Sequence, residues 1–258
     1  MMADFKNSNA GIAADDQDVE RRISAFLWRD PNPFGAALDS LMDGPFAHFK
    51  RCAIAGGMVR DIARGDAFDS DIDIVIEATI DEVATVAASL GARRNVFGGW
   101  RTRFGDADID FWAFESTWTL RTGLVKGRSL DDFPKTTFFT HDAAVFDLNS
   151  HRVVSHGIFW DAIKRGEIEI NVEPTPSIEG NLYRAARRIL GWGLVVGPRL
   201  RRFIERYLDD DSFRKLLKIE AGKGHPPLIV RFQNSTELKA AVLGNRLGNE
   251  MMKLENPS

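Results

Sequence analysis

Apolar positions along the chain recur with two different periods. Val19, Ile23, Phe26 and Leu27 fall at helical spacing and predict a helix over 16–29, behind a polar stretch, 1–15, that reads as disordered. A Pro31-Asn-Pro33 turn stops that helix, and a second short one is expected over 34–43. Strands are predicted near 49–55 and 72–77, around a helix at 58–64. Another helix should run from Ile80 to Leu90, with Asp81 and Glu82 in its first turn and Gly91 at its end. Between 93 and 114 the period shortens to two, and Gly98-Gly99 and Gly105-Asp106 read as turns between short strands. A further strand pair is expected at 143–157, turning at Asn149-Ser150, and then a helix over 159–166. Beyond Pro174 and Pro176 the pattern is helical, over 178–191, 198–208, 211–221 and 236–247, with 224–235 as loop or strand. The fold class is therefore α+β followed by a helical part, with a boundary near 174–177.

The stretch over 52–77, CAIAGGMVRDIARGDAFDSDIDIVIE, holds the densest chemistry. A short apolar strand ends in Gly56-Gly57, a helix start follows, and a second strand opens with Asp71 and Asp73. Strand side chains alternate between faces, so these two carboxylates share one. Like charges side by side are tolerated mainly where a cation or proton neutralises them. Glycines admit close backbone approach, and the N–H groups at a helix start favour anions. An anion cradle beside paired carboxylates suggests a metal-bound nucleoside triphosphate. In ADIDFWAF, Asp108 and Asp110 share a face opposite Ile109 and Phe111, so a neighbouring strand would bring Asp110 beside Asp71 and Asp73.

Composition narrows the class. The 258 residues are 44% hydrophobic and 28% charged, as in a soluble globular protein. No apolar run approaches the ~20 residues of a membrane span. The polar, acidic start is neither a signal peptide nor an Arg-rich transit peptide, so a cytoplasmic location is expected. The lone Cys52 excludes an internal disulfide framework and a Cys-rich zinc site. The net charge of −3 divides unevenly: residues 181–258 carry 15 Lys/Arg against 8 Asp/Glu, and residues 1–180 carry 19 against 29. An acidic front and a basic back fit a metal-binding part followed by a polyanion-binding part.

Competing motifs fail on their own terms. Asp69, Asp71 and Asp73 have the spacing that opens a calcium loop, but Ile74 and Ile80 stand where that loop needs glycine and glutamate. There is no G-x-G-x-x-G, no P-loop G-K-[ST] and no G-x-S-x-G. His48, His141, His151, His156 and His225 form no close ligand pair.

The pattern A-G-G-M-V-R-D, then D-S-D-I-D and an apolar strand, resembles the head of the class II CCA-adding enzymes and bacterial poly(A) polymerases, within the DNA polymerase β-like nucleotidyltransferase superfamily. ADIDFWAF resembles the strand bearing the third carboxylate, FFTHDAAVFDLNSHRVVSHGIFWDAIKRGEI the family's following segment, and LYRAARRILGWGLVVGP its neck helix. The resemblance covers about residues 50–200 and is strong at 55–76. It implies a mixed-sheet head over 16–175 and a small helical, basic neck over 176–258. It implies that Asp71, Asp73 and Asp110 hold two Mg²⁺ ions and carry the catalysis, and that Gly56, Gly57, Arg60, Arg184 and Arg187 bind an NTP such as ATP. Asp61 would make a structural bond. The implied activity is transfer of a nucleotide to an RNA 3′ end, tRNA included.

The departures are specific. Thr136-Thr137-Phe138 replaces an R-R-D, and at the base-reading E-D-x-x-R the aspartate and arginine positions hold Ile178 and Asn181. The sequence stops soon after the neck segment, so the long helical body and tail that grip a tRNA are not expected. Transfer to a protein or small molecule, and a non-catalytic nucleotide- or RNA-binding role, both stay open. The basic tract from Arg184 to Lys218 is the expected RNA contact.

Overall fold

A computed structural model of the protein describes residues 11–29, 32–68, 70–95, 97–105, 107–223 and 226–244. Asp69 of the calcium-like spacing, Pro31, Asp106 and His225 lie outside the described residues, as do 1–10 and 245–258. The chain divides into two units, one formed by the residues up to Thr137 with His141–Ile163, the other by Phe138–Thr140 with the residues from Lys164 onward.

In the first unit, α1 (Asp16–Trp28) starts where Asp15 accepts the Asp18 N–H, and α2 (Pro33–Met42) starts where Asn32 accepts the Gly35 N–H. Residues 11–15, expected as part of a loose tail, are anchored: Ala13 is buried and its N–H donates to the Ala63 carbonyl at 2.8 Å. There follow β1 (Cys52–Ala55), α3 (Gly57–Arg64), β2 (Ile72–Ile76), α4 (Ile80–Ser89), β3 (Arg93–Arg94), β4 (Trp100–Phe104), β5 (Ala107–Ala113), α5 (Trp118–Arg121), β6 (Ala144–Asp147), β7 (Arg152–Ser155) and α6 (Gly157–Arg165). A capping box between Thr79 and Glu82 fixes the start of α4, as the acidic first turn predicted. The strand expected over 49–55 begins only at Cys52, because residues 44–50 form turns that bring Phe46 and Phe49 into the core.

The described residues form a seven-stranded mixed sheet of order β3-β4-β5-β2-β1-β6-β7. It is antiparallel except that β2 and β5 run parallel, in a register that sets Asp73 against Asp110. Period-two alternation then sorts the side chains. One face carries Cys52, Ile54, Ile72, Ile74, Ile109, Phe111 and Phe146, packed with residues of α1 to α4 such as Ile23, Leu38, Met58 and Val83. Burial there pushes the Cys52 thiol up to about 12. The opposite face carries Ala53, Ala55, Val75 and Val145 under Phe114, Leu130 and Phe133. These last three come from 114–136, a stretch of short turns around α5 for which the sequence pattern predicted no element. By strand alternation the rest of that second face carries Asp73, Asp108, Asp110, Arg101 and Arg103.

The second unit contains β8 (Glu167–Ile168), α7 (Ile178–Trp192), β9 (Val195–Val196), α8 (Pro198–Tyr207), α9 (Asp210–Ala221) and α10 (Ser235–Gly244). Its core gathers Phe139, Ile168, Leu182, Ile189, Leu200, Phe203 and Leu216. It begins about ten residues before the expected 174–177 boundary because β8 pairs with β9 and Ile170 bridges Phe139. Glu169 closes the start of α8 by accepting the N–H groups of Arg199 and Leu200. Where 224–235 was expected as loop or strand, the described part holds a short 3₁₀ turn, Ile229–Arg231. Among the described residues no helix is long and apolar enough to cross a membrane.

Buried Glu220 on α9 organises that turn by accepting the N–H groups of Leu228, Ile229 and Val230 at 2.9–3.0 Å. Burial pushes its carboxyl up, but the three N–H groups and Arg187 outweigh it and leave the net shift downward. A depressed carboxyl stabilises the fold above the unfolded value of 4.5 and loses that contribution as pH falls through its folded value. Glu220→Gln should therefore cost about 1–3 kcal/mol in urea unfolding at pH 7. The deficit relative to wild type should shrink at pH 3.

Candidate active site

The site grows from two local events. The first is the turn after β1, where Gly56 takes φ +68°, a backbone conformation that side-chain-bearing residues rarely adopt. That turn starts α3 directly, and a Cβ on Gly56 would stand 4.0 Å from Asp73 Oδ2. The glycine backbone and the Asp73 carboxylate are thus neighbours. The second event is the parallel pairing of β2 with β5. It sets Asp110 beside Asp73 in register, with Asp71 two residues earlier in the chain.

Asp73 is half-buried, and its carboxyl is pushed up to about 7, first by burial and then by the carboxylates of Asp110, Asp71 and Asp142. Four aspartates around one point leave the cluster short of positive charge. The structure supplies two guanidinium groups nearby. Arg60 on α3 is almost enclosed: its Nε and Nη2 donate to Asp61 at 2.8 and 3.1 Å, and its Nη1 donates to Asp142 at 2.7 Å. Burial alone would lower its pKa, but the Asp142 and Asp61 carboxylates outweigh that and raise it further. Arg101 on β4 donates from Nε and Nη2 to both oxygens of Asp110, at 2.9 and 2.6 Å, and from Nη2 to Asp71 at 2.8 Å.

The chemistry of the donor set fits a divalent cation. Asp73 on β2 and Asp110 on β5 stand in register with Asp71 just before β2, three carboxylates of the oxygen type that divalent cations take. In the arrangement as it stands, no group of three or more His, Cys, Asp or Glu among the described residues is set out to hold a metal ion. Arg101 is on the oxygens of two of the three.

The expected site residues separate by unit. Gly56, Gly57, Arg60, Asp71, Asp73 and Asp110 all belong to the first unit. Arg184 and Arg187 belong to the second, on α7. Arg184 is exposed and donates to Asn181 Oδ1 at 2.5 Å. Arg187 is half-buried and donates to the Pro226 carbonyl at 2.8 Å and to Glu220 at 3.4 Å. Two further arginines of the basic tract are also used internally, Arg199 on the carbonyls of Ile170 and Asn171 and Arg201 on that of Leu243. Arg202, Arg206, Arg214, Lys215 and Lys218 remain exposed.

Arg101 and Asp142 were missed by the sequence reading. Arg101 had a signal: the Gly105-Asp106 turn expected from the sequence would set Phe104 opposite Ala107, and counting back would set Arg101 opposite Asp110, as the strands are paired. Asp142 had none, since it approaches from a short turn 69 positions after Asp73.

No protein-family model matches the sequence, and no curated protein matches it. Solved structures do. The Thermotoga maritima CCA-adding enzyme complexed with tRNA aligns over 93% of this chain and 55% of its own, at 19% identity and a TM-score of 0.56. A CCA-adding enzyme with CTP aligns over 82% of this chain and 52% of its own, at 22% identity and a TM-score of 0.53. A CCA-adding enzyme with ATP gives 82%, 53%, 19% and 0.53. The protein therefore has the mixed-sheet fold shared by these CCA-adding enzymes. It spans about half the length of the structures it matches.

The crowding of carboxylates has a measurable cost in the absence of divalent ions. Asp73→Asn removes one charge from the cluster and keeps its shape. In EDTA at pH 8 that variant should melt a few degrees above wild type. An equal or lower melting temperature would mean that the four carboxylates do not burden the fold.

Proposed function

We propose that the protein is a metal-dependent nucleotidyltransferase that moves a nucleoside monophosphate from an NTP to an RNA 3′ end and releases pyrophosphate. The observation that carries this is the in-register pair Asp73 and Asp110 on adjacent parallel strands, with the Gly56 turn against Asp73. The fold likeness supports it, because structures with this fold have been obtained with CTP, ATP and tRNA.

In this reading Asp71, Asp73 and Asp110 would hold two Mg²⁺ ions. When bound, these ions supply Lewis acidity toward the attacking hydroxyl and charge compensation for the triphosphate. The Gly56-Gly57 backbone, free of side-chain bulk, lets the triphosphate approach. Arg60 is held rigid by Asp61 and Asp142 and contributes a fixed positive charge beside the turn. The acceptor hydroxyl oxygen bonds to the α-phosphorus, the bond from that phosphorus to the bridging oxygen breaks, and pyrophosphate departs with the electron pair. Asp110 accepts the hydroxyl proton or passes it to solvent. Most of the acceleration comes from position and preorganised charge.

Arg184 and Arg187 on α7 are proposed nucleotide contacts. Arg184 is the more available of the two, since it is exposed while Arg187 braces Glu220 and the Pro226 carbonyl. The exposed basic side chains of α8 and α9 are the proposed RNA contacts, and binding through them should weaken steeply with salt.

The test is incubation of the full chain with Mg²⁺, each labelled NTP in turn, and total RNA. Label should enter RNA, EDTA should abolish it, and Asp73→Ala should lower the rate by at least about 100-fold. Label on the protein itself or on a small molecule would instead identify a different acceptor. An Asp73→Ala protein with activity near that of wild type would overturn the metal assignment.

A further inference from the structure

Arg101 stands on β4 directly opposite Asp110, on the open face of the sheet that also carries Asp73. Its guanidinium covers both oxygens of Asp110 with a two-point fork and reaches Asp71 Oδ2 from the same Nη2 atom. These are the oxygens that a cation would need. A carboxylate uses the same lone pairs to accept from arginine and to ligate a metal, so the fork and a divalent ion contend for Asp71 and Asp110. Among the described hydrogen bonds and ion pairs, Asp73 makes none with Arg101. The side chain of Arg101 is 51% exposed, which leaves it room to swing into solvent when displaced.

The geometry points to Arg101 as a resident counter-cation of the catalytic cluster, one that keeps Asp71 and Asp110 paired and gives way when a divalent ion enters. Arg101 thereby weakens metal binding while it holds the carboxylates together in the metal-free protein. The inference rests on the proposed metal site. Its size is bounded by solvent, because exposed pairs are screened and their net contribution is small even when the geometry is bidentate. Arginine suits the task through its planar fork, and a lysine at this position would cover fewer oxygens.

The neighbouring Arg103 provides the control. It lies on the same face, two residues along β4 and opposite Asp108, and it carries the same charge. Removing Arg103 measures the through-space effect of losing one positive charge, and removing Arg101 measures that effect plus relief from competition. The experiment is a Mn²⁺ titration of the full chain, reading free ion by electron paramagnetic resonance, for wild type, Arg101→Met, Arg101→Ala, Arg103→Met and Asp73→Asn. Arg101→Met keeps the aliphatic stem on the sheet and guards against loss of packing.

Both Arg101 variants should bind Mn²⁺ about three- to tenfold more tightly than wild type. Arg103→Met should stay within about twofold of wild type, and Asp73→Asn should bind much more weakly. Arg101 variants no tighter than Arg103→Met, with binding still lost in Asp73→Asn, would overturn the competition and leave the metal site standing. Undiminished binding in Asp73→Asn would overturn the metal site, and this inference with it.

Discussion

The repulsion between Asp73 and the three aspartates around it is the constraint on which the rest of the first unit depends. Such a cluster survives only if rigid elements hold it and cations answer it. The sheet provides the first condition, since Asp73 and Asp110 sit in register on strands whose other face is locked into the main core by Ile72, Ile74, Ile109 and Phe111. Arg60 and Arg101 provide the second. They do so differently: Arg60 is enclosed and fixed by two carboxylates, whereas Arg101 lies on the rim and faces solvent. One is a permanent part of the fold, and the other is exchangeable.

The open face is as much a product of packing as of chemistry. The segment 114–136 covers Ala53, Ala55, Val75 and Val145, and the rest of that face carries the half-buried Asp73, Asp108 and Asp110 with the exposed Arg101 and Arg103. Small residues on β1 let Phe114, Leu130 and Phe133 lie close to the sheet, so that one part of the face becomes core while the charged part keeps access to solvent through Arg101 and Arg103. The charged groups of this face thereby sit at the margin of a hydrophobic cluster, where the local dielectric is lowered and their interactions are strengthened.

The second unit spends much of its positive charge on itself. Arg187, Arg199 and Arg201 each bind backbone carbonyls within the unit, and Glu220 gathers three backbone N–H groups around a single carboxylate. A count of basic residues overstates the charge available to a polyanion for this reason. Arginine's five donors make it a common internal brace as well as a phosphate ligand. Arg184 on α7 and the outward-facing basic residues of α8 and α9 carry much of the remaining basic character.

Much of this was legible in the sequence because it rests on local rules. Period-two alternation marked Asp71 with Asp73 and Asp108 with Asp110 as same-face pairs, paired glycines marked the turn before α3, and Asp81 with Glu82 marked the first turn of α4. The α+β order follows from those marks, and Asp110 was expected beside Asp71 and Asp73 on the condition that their strands are sheet neighbours. What lies between elements did not follow. The parallel pairing that joins Asp110 to Asp73, the approach of Asp142 to Arg60, and the covering of one sheet face by 114–136 all depend on contacts between residues far apart in the chain. So does the start of the second unit, which a two-residue pairing of β8 with β9 sets ahead of the prolines at 174 and 176. The sequence by itself determined which residues carry charge and which face of a strand they share. Only the tertiary structure decided which carboxylates meet and which arginine answers them, because charge pairing is settled by distance in space and not by spacing along the chain.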